Sequence, residues 1–464
     1  MSSAGAGQSG GDGQADGGGP SSGSSVDFGP APDDPLAARL FPPLPGTVKW
    51  GLERTRRILA GVGHPLRTTP ILHVGGTNGK GTVAWIWASI LRETGLRVGL
   101  YTSPDLISFR ERILVEGRPL SDLALEAAAD ELRPLLLREE PSRFEAATAL
   151  AFLALERARV EVAVVEVGLG GRLDATNVVE PLVTAITNVG LEHRSLLGRD
   201  LAAIAREKAG ILKPGVPAYT TAREADVLEV LTREAATLGA PLIRVPEPSG
   251  TLGMEGITVS LPTRRWGRLE LTSPLVGRHH FSNVALAIRS LEGLPPRIAV
   301  GAEEIRRSVA GVRIPGRFQV EREGNRLWVL DVAHNAAAAE ALASTLDRVA
   351  APRPRVGVVG ILADKDHAAV LSRLAPALDA VVLTTPSGIH SSRVWNPGEA
   401  RAALPSEMEV HIEPDAGRAL DRARGLMTEG ATGVVTGSFR LVGEALQVMG
   451  RVPPEALPPS SDFE

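Results

Sequence analysis

Residues 71–82 read Ile-Leu-His-Val-Gly-Gly-Thr-Asn-Gly-Lys-Gly-Thr, an apolar run that breaks into glycines around one lysine. Ile71 to Val74 has the composition of a short buried strand, and apolar residues recur at helical spacing after Thr82. Glycines let the backbone bring its N–H groups close to phosphate oxygens, and the N-terminus of a helix adds partial positive charge. The order strand, glycine loop, helix therefore predicts a site for the phosphates of a nucleotide.

This loop differs from the general phosphate-loop pattern at two positions. Val74 stands where a glycine is expected, and Gly81 separates Lys80 from Thr82. A plain glycine-rich turn between a strand and a helix is the alternative interpretation. We favour the nucleotide site, in which Lys80 and the loop N–H groups hold phosphate and the Thr82 hydroxyl is a ligand of Mg²⁺.

Composition limits the classes of function. The chain has 464 residues, a formal net charge of −4 and no cysteine, which excludes disulfides and thiolate metal sites. The charge gives no basic footprint for nucleic acid, and no apolar run approaches the length of a membrane span. The start of the chain lacks the pattern of a secretory signal. We therefore expect a cytoplasmic protein that acts on small molecules.

Composition shifts also divide the chain. Residues 1–34 are rich in Gly and Ser and are predicted to be a disordered tail. Residues 35–312 alternate strands with helices, with small antiparallel strands within 246–275, and are predicted to form a doubly wound ATPase domain of phosphate-loop type. After a Gly/Pro cluster, residues 313–464 are predicted to form a smaller Rossmann-like domain. The predicted fold class is α/β in both domains.

Three titratable side chains stand out in the first predicted domain. Glu166 lies near the end of the apolar run 162–167, which is typical of a strand buried on both faces, so its carboxylate needs a metal or an arginine as partner. His193 follows the next predicted strand, and Lys208 lies in a helix predicted to begin at Asp200. From the residues alone, His193 is more typical of a surface loop and Lys208 of a solvated helix.

Polar residues also cluster after the Gly/Pro segment. Arg317 is either a surface cation in a turn or a guanidinium that clamps phosphate or ribose. Asp331, His334 and Asn335 follow a predicted strand and precede a predicted helix. Capping of that helix by Asp331 or Asn335 is the alternative to a role in binding.

Eight stretches occur in an order that spans nearly everything after the tail. They are Gly-Thr-Asn-Gly-Lys-Gly-Thr (76–82), Thr-Ser-Pro-Asp-Leu (102–106) with Glu-Arg-Ile (111–113), Phe-Glu-Ala-Ala-Thr (144–148), Glu-Val-Gly-Leu-Gly-Gly-Arg-Leu-Asp-Ala-Thr-Asn (166–177), Arg-Glu-Lys-Ala-Gly-Ile (206–211), Pro-Gly-Arg-Phe (315–318), Asp-Val-Ala-His-Asn (331–335) and Thr-Gly-Ser (436–438). As an ordered set they resemble the folylpolyglutamate synthase and dihydrofolate synthase family of the Mur ligase superfamily. The stretch 166–177 is the most specific.

The resemblance implies an ATP-dependent ligase that joins L-glutamate to dihydropteroate and adds further glutamates to reduced folates. Such enzymes phosphorylate the acceptor carboxylate, and the glutamate amine then attacks the acyl phosphate, leaving ADP and phosphate. The resemblance further implies ATP as substrate and two Mg²⁺ ions as cofactors. We expect a monomer with no nucleic-acid or membrane partner.

Matched positions receive roles from the same resemblance. ATP would be held by Asn78, Gly79, Lys80, Gly81, Thr82, Asn283, Arg317 and Asp331. The metal ligands would be Thr82, Ser103, Glu166 and His193. The acceptor substrate would contact Phe144, Leu173, Asp174, Ala175 and His334. The catalytic residues would be Lys80, His193 and Lys208, with Lys208 carrying a carbamate derived from CO₂, which turns a cation into an anion.

The sequence leaves alternatives open. It carries Asp105, Glu192, Val332 and Ala336 where the family usually has His, Asp, Gly and Pro. A ligase that acts only on reduced folates, or a Mur-type ligase with another acceptor, fits the same motifs. A nucleotide-binding regulatory protein without catalysis is a further alternative, which ADP release dependent on both dihydropteroate and glutamate would exclude.

Overall fold

The computed structural model describes residues 34–45, 50–389 and 391–454. The predicted tail thus lies outside the described residues except for Asp34, which is the N-cap of the first helix. One carboxylate oxygen of Asp34 accepts the backbone N–H of Leu36 at 2.8 Å, and the other accepts that of Phe109 at 2.6 Å. Asp34 therefore ties the first helix to the distant 3₁₀ helix that begins at Phe109.

The first part of the chain alternates strands with helices, as predicted. In order, the elements are α1 (Pro35–Leu40), α2 (Glu53–Gly61), β1 (Ile71–Gly75), α3 (Lys80–Glu93), β2 (Val98–Tyr101), β3 (Ile113–Val115), β4 (Arg118–Pro119), α4 (Asp122–Glu139), α5 (Arg143–Arg157), β5 (Val162–Glu166), β6 (Val183–Ile186), α6 (Arg194–Leu197), α7 (Leu201–Ala209), β7 (Ala218–Thr220), α8 (Ala225–Thr237) and β8 (Leu242–Arg244). Asp200 is the N-cap of α7, as its position predicts.

These strands form one sheet in the order β4-β3-β2-β5-β1-β6-β7-β8. The six strands from β2 to β8 in this order run parallel, and the antiparallel β3–β4 hairpin extends the β2 edge. β1 and β5 are buried along their whole length, because helices cover both faces of such a sheet. The carboxyl ends of β2, β5, β1 and β6 meet at one edge, where ligands of doubly wound sheets bind.

A separate antiparallel sheet and two helices complete the first domain. They are β9 (Ser249–Gly253), β10 (Gly256–Pro262), β11 (Arg268–Ser273), α9 (His279–Leu291) and α10 (Ala302–Gly311). Along β11, buried and exposed residues alternate strictly, because only one face of this sheet packs on the core. The prediction of short antiparallel strands within 246–275 is confirmed.

The second domain is a smaller α/β unit. Its elements are β12 (Gln319–Glu323), β13 (Arg326–Asp331), α11 (Ala336–Arg348), β14 (Arg355–Val359), α12 (His367–Leu374), β15 (Ala380–Leu383), α13 (Pro397–Ala400), β16 (Glu409–Ile412), α14 (Ala416–Leu426), β17 (Thr432–Thr436) and α15 (Phe439–Val448). The sheet order is β12-β13-β17-β14-β15-β16, with β12 antiparallel and the others parallel. The predicted fold class is confirmed for both domains.

Leu106, in the loop after β2, joins the two domains. Its side chain is 6% exposed and packs in an apolar cluster whose other buried members, Trp328 and Val332 among them, belong to the second domain. A Cβ at Gly443 in α15 would lie 2.2 Å from the carbonyl oxygen of Leu106, so only glycine permits this approach. None of the helices in the described part of the chain combines the length and the apolar character that a membrane span requires.

Candidate active site

The phosphate loop joins β1 to α3 in a conformation that its glycines allow. Gly76 has φ 138° and Gly79, the N-cap of α3, has φ 86°, both in the left-handed region. A Cβ on Gly76 would lie 1.8 Å from Thr187 Oγ1, and a Cβ on Gly79 would lie 2.5 Å from Asn283 Oδ1. Lys80 folds back over the loop and donates to the carbonyl oxygen of Gly76 at 3.3 Å. The loop therefore offers backbone N–H groups and a cation at the start of a helix, the arrangement that binds phosphate.

A cavity of about 520 Å³ opens between this loop and the second domain. Its lining includes most of the predicted site residues, namely Asn78, Gly79, Lys80, Gly81, Thr82, Ser103, Glu166, His193, Lys208, Asn283, Arg317, Asp331 and His334. Phe144, Leu173, Asp174 and Ala175 do not line it. The structure thus brings the predicted nucleotide, metal and catalytic residues into one cleft.

Oxygen donors gather beside the phosphate loop. Glu166 Oε2 accepts the backbone N–H of Ser103 at 3.2 Å, and a Cβ on Gly81 would lie 3.5 Å from the same oxygen. The Thr82 side chain is buried in the first turn of α3. Burial raises the pKa of Glu166, and the charge of Lys80 opposes that rise. The Glu166 carboxylate therefore lies beside the phosphate loop, where the positive charge of Lys80 acts on it.

These donors fit Mg²⁺, which prefers carboxylate, hydroxyl and phosphate oxygens. Within residues 34–45, 50–389 and 391–454, no three His, Cys, Asp or Glu side chains cluster closely enough to hold a metal ion. A Mg²⁺ ion at this position would therefore complete its coordination with phosphate or water oxygens, as is common in nucleotide sites.

Lys208 in α7 is buried, with 3% of the residue exposed. Its Nζ donates to the carbonyl oxygen of Gly76 at 2.7 Å. Burial, together with the nearby ammonium of Lys80, lowers the pKa of Lys208 to about 7. The interpretation of Lys208 as a solvated helix residue is therefore wrong, and its neutral amine is available near neutral pH.

A cluster of charged side chains spans the cleft around Glu192. Its Oε1 lies 3.3 Å from His193 Nε2, 3.5 Å from His334 Nε2 and 3.7 Å from Lys365 Nζ. Burial opposes ionisation here, but hydrogen bonds from the two imidazoles hold the pKa of Glu192 well below its usual value. Lys365 was not among the predicted site residues, and its only signal in the sequence is a lysine flanked by two aspartates after the buried strand β14.

The second domain contributes Arg317 and the end of β13. The Arg317 guanidinium carbon lies 5.1 Å from the centroid of the Phe439 ring, and Asp331 accepts two backbone N–H groups. Asn335 is the N-cap of α11, so the capping alternative holds for Asn335 and not for Asp331. The Asn335 Nδ2 also donates to Asn78 Oδ1 at 3.0 Å, which ties the second domain to the phosphate loop.

Comparison with known proteins identifies the family. The Mur ligase middle domain family matches residues 74–291, and the Mur ligase glutamate ligase domain family matches residues 316–439. The chain is 34% identical over 445 residues to the dihydrofolate synthase/folylpolyglutamate synthase of Mycobacterium tuberculosis, an alignment that covers 87% of this chain and 90% of that relative. The chain belongs to the dihydrofolate synthase/folylpolyglutamate synthase family.

Two further members of this family are similar along most of their length. The dihydrofolate synthase/folylpolyglutamate synthase of Bacillus subtilis is 36% identical over 348 residues, which cover 72% of this chain and 80% of that relative. A solved structure of Escherichia coli FolC in complex with DHPP and ADP superposes with a TM-score of 0.80 at 31% identity, covering 90% of this chain and 98% of that one.

Of the five residues that the family resemblance assigns to the acceptor, His334 alone lines the cavity. Gly168 lines the cavity, and a Cβ at this position would lie 2.3 Å from Cζ of the Phe144 ring. Leu173 is half-buried, and Asp174 caps a short 3₁₀ helix that begins at Ala175. Phe144 also stacks on Tyr101, with ring centroids 6.4 Å apart.

The positions that depart from the family pattern lie in or next to the cleft. Asp105 forms a buried ion pair with Arg112, and both side chains line the cavity. Val332 donates its backbone N–H to the carbonyl oxygen of Gly316 at 2.9 Å. Ala336 begins α11, and Glu192 is the centre of the charged cluster described above.

Proposed function

We propose that this chain joins L-glutamate to dihydropteroate and extends reduced folates with further glutamates, using ATP and releasing ADP and phosphate. Membership of the dihydrofolate synthase/folylpolyglutamate synthase family supports this proposal. The observation that carries it is the single cleft that contains the phosphate loop, the buried Lys208 and cations from the second domain. A ligase needs all three substrates in one such space.

The chain's own residues suit each step. Lys80 and the N–H groups of the loop hold the phosphates of ATP while the acceptor carboxylate attacks the terminal phosphoryl group. The glutamate amine then attacks the resulting acyl phosphate, and phosphate leaves. Lys365 and Arg393 of the second domain also line the cavity, and they supply cations suited to the carboxylates of glutamate.

Mg²⁺ fits beside Thr82, Ser103 and Glu166, where it would neutralise phosphate charge. The family resemblance assigns Ser103, Glu166 and His193 together to the second of two ions. Lys365 Nζ lies 3.4 Å from His193 Nε2, and an ammonium at that distance disfavours another cation on the same nitrogen. The arrangement therefore favours Mg²⁺ coordination by Ser103 and Glu166 over coordination by His193.

The decisive experiment offers purified protein ATP, Mg²⁺ and glutamate with dihydropteroate in one reaction and a reduced monoglutamyl folate in another. We expect acceptor-dependent ADP release in both, together with products one glutamate heavier by mass spectrometry. Product with the folate alone would restrict the enzyme to chain extension. Product in neither reaction would contradict the proposal and direct attention to Asp105 and a different acceptor.

The metal proposal gives a second prediction. Glu166→Gln keeps the shape of the side chain but removes its charge, so the Mg²⁺ concentration for half-maximal activity should rise by about tenfold or more. Glu229→Gln, on the exposed side of α8, is the matched control and should leave the metal titration unchanged. An unchanged titration for Glu166→Gln would remove this residue from the metal site.

We further propose that the chain works as a cytoplasmic monomer with domains at 35–312 and 313–464. The boundary is supported by the end of α10 at Gly311 and the start of β12 at Gln319. Light scattering after size exclusion measures the mass, and a dimer would contradict the monomer.

A further inference from the structure

His73 is a polar residue inside the strand that leads to the phosphate loop. It lies in the middle of β1, beside Val165 of β5 and Thr184 of β6, and it is fully buried. Burial lowers the pKa of His73 to about 3, so the ring is neutral. His73 does not line the cavity, and a buried polar side chain is costly unless it is hydrogen-bonded. The hydrogen-bond partner of the imidazole therefore indicates why a histidine occupies this buried position.

The contacts of His73 fix the direction of a hydrogen-bonded chain. His73 Nε2 lies 3.0 Å from Thr176 Oγ1, and Thr176 Oγ1 donates to Asp174 Oδ1 at 2.5 Å. A threonine hydroxyl has one proton, so Thr176 accepts from His73. The proton of the imidazole is consequently on Nε2. The chain runs from His73 through Thr176 to Asp174.

Asp174 connects this hydrogen-bonded chain to the backbone of the cavity wall. Its Oδ1 also accepts the backbone N–H of Thr176 at 3.0 Å, and its Oδ2 accepts the backbone N–H of Leu169 at 2.8 Å. Both carboxylate oxygens are thus engaged within the chain, and Asp174 does not line the cavity. Gly168, Leu169 and Gly170 do line it. The Asp174 side chain therefore holds the wall in place.

We propose that His73 is a positioning residue for the acceptor substrate. Through Thr176 and Asp174 it fixes the backbone of residues 168–170, the part of the cavity wall that lies against the Phe144 ring. An aromatic ring behind glycines suits a flat heteroaromatic group such as a pterin, whereas the loop after β1 suits phosphate. This inference rests on the proposed function, and it assigns His73 and Thr176 to acceptor recognition.

The test compares variants that break the chain with variants that keep its donors. His73→Leu and Thr176→Val remove a hydrogen bond without adding a charge, and each should raise the KM for dihydropteroate by roughly tenfold. The KM for ATP should stay within about twofold, because the phosphate loop keeps its own contacts. His73→Gln, which retains an N–H donor, and Thr176→Ser should remain close to the wild type.

The double variant His73→Leu/Thr176→Val should be no worse than either single variant, because both residues act through one chain. Thermal unfolding of every variant controls for general destabilisation. Equal increases in the KM for ATP and for dihydropteroate, or a His73→Gln variant as impaired as His73→Leu, would overturn the inference. A wild-type enzyme without acceptor-dependent ADP release would instead overturn the proposed function, so the two failures are distinguishable.

Discussion

Lys208→Ala is expected to lower kcat by about 100-fold or more while leaving the affinity for an ATP analogue within about twofold. Lys208 lies inside the cleft, with Nζ 2.7 Å from the carbonyl oxygen of Gly76. Addition of CO₂ to its neutral amine would place an anion in the cavity that Glu166 also lines. The loop N–H groups and Lys80 are untouched by the substitution, so nucleotide binding should persist. ADP release and calorimetric titration measure the two quantities.

Arg206→Ala, on the exposed side of the same helix, is the matched control and should keep the wild-type kcat.

The fraction of Lys208 that carries the carbamate should also depend on pH. Only the neutral amine reacts with CO₂, and burial lowers the pKa of Lys208 to about 7. The carbamylated fraction at fixed dissolved CO₂ should therefore rise between about pH 6 and 8, as ¹³C NMR with labelled CO₂ would show. Full activity of Lys208→Ala would refute the catalytic role.

Arg112→Met should lower the free energy of unfolding by about 3–5 kcal/mol. Arg112 and Asp105 form an ion pair in which the side chains are 2% and 3% exposed. Removal of the guanidinium leaves the Asp105 carboxylate buried beside Glu111. Burial and the charge of Asp105 already raise the pKa of Glu111 to about 7. Urea unfolding at neutral pH measures the loss.

Two further variants separate the ion pair from general packing. Asp105→Leu combined with Arg112→Met removes both charges, and it should recover much of the stability. Arg133→Met breaks a pair with Asp130 on the exposed side of α4 and should cost less than about 1 kcal/mol. A loss of less than about 1 kcal/mol for Arg112→Met would show that the buried pair is not needed for stability.

The sequence predicted the central strands because their signal is strong. β1 and β5 are buried on both faces, so each appears as a short run of mostly apolar residues. The strands at the edges of the second sheet have a weaker signal. β12 and β16 are half-buried or exposed and carry charged residues, as edge strands often do, and no apolar run marks them.

The types of residue in the cleft were easier to predict from the sequence than the contacts between those residues. The glycine loop is local and could be recognised from consecutive residues. The buried Lys208 donates to Gly76, which is 132 positions away along the chain, and no local pattern encodes such a contact. Lys365 was missed for the same reason, since its neighbour Glu192 belongs to the other domain. The hydrogen bonds of Asp174 to Leu169 and Thr176 likewise form only in the folded loop.

The anchoring of Leu106 in the second domain has a consequence for substrate entry. Swinging the domains apart would expose this side chain to water, at a cost of about 1.5–3 kcal/mol for a leucine. That cost alone would keep a separated arrangement to roughly one molecule in ten to one in a hundred. Substrates would then enter only during the short periods in which the domains are apart. Leu106 touches no reacting atom, yet its burial would limit how often a new round of catalysis can begin.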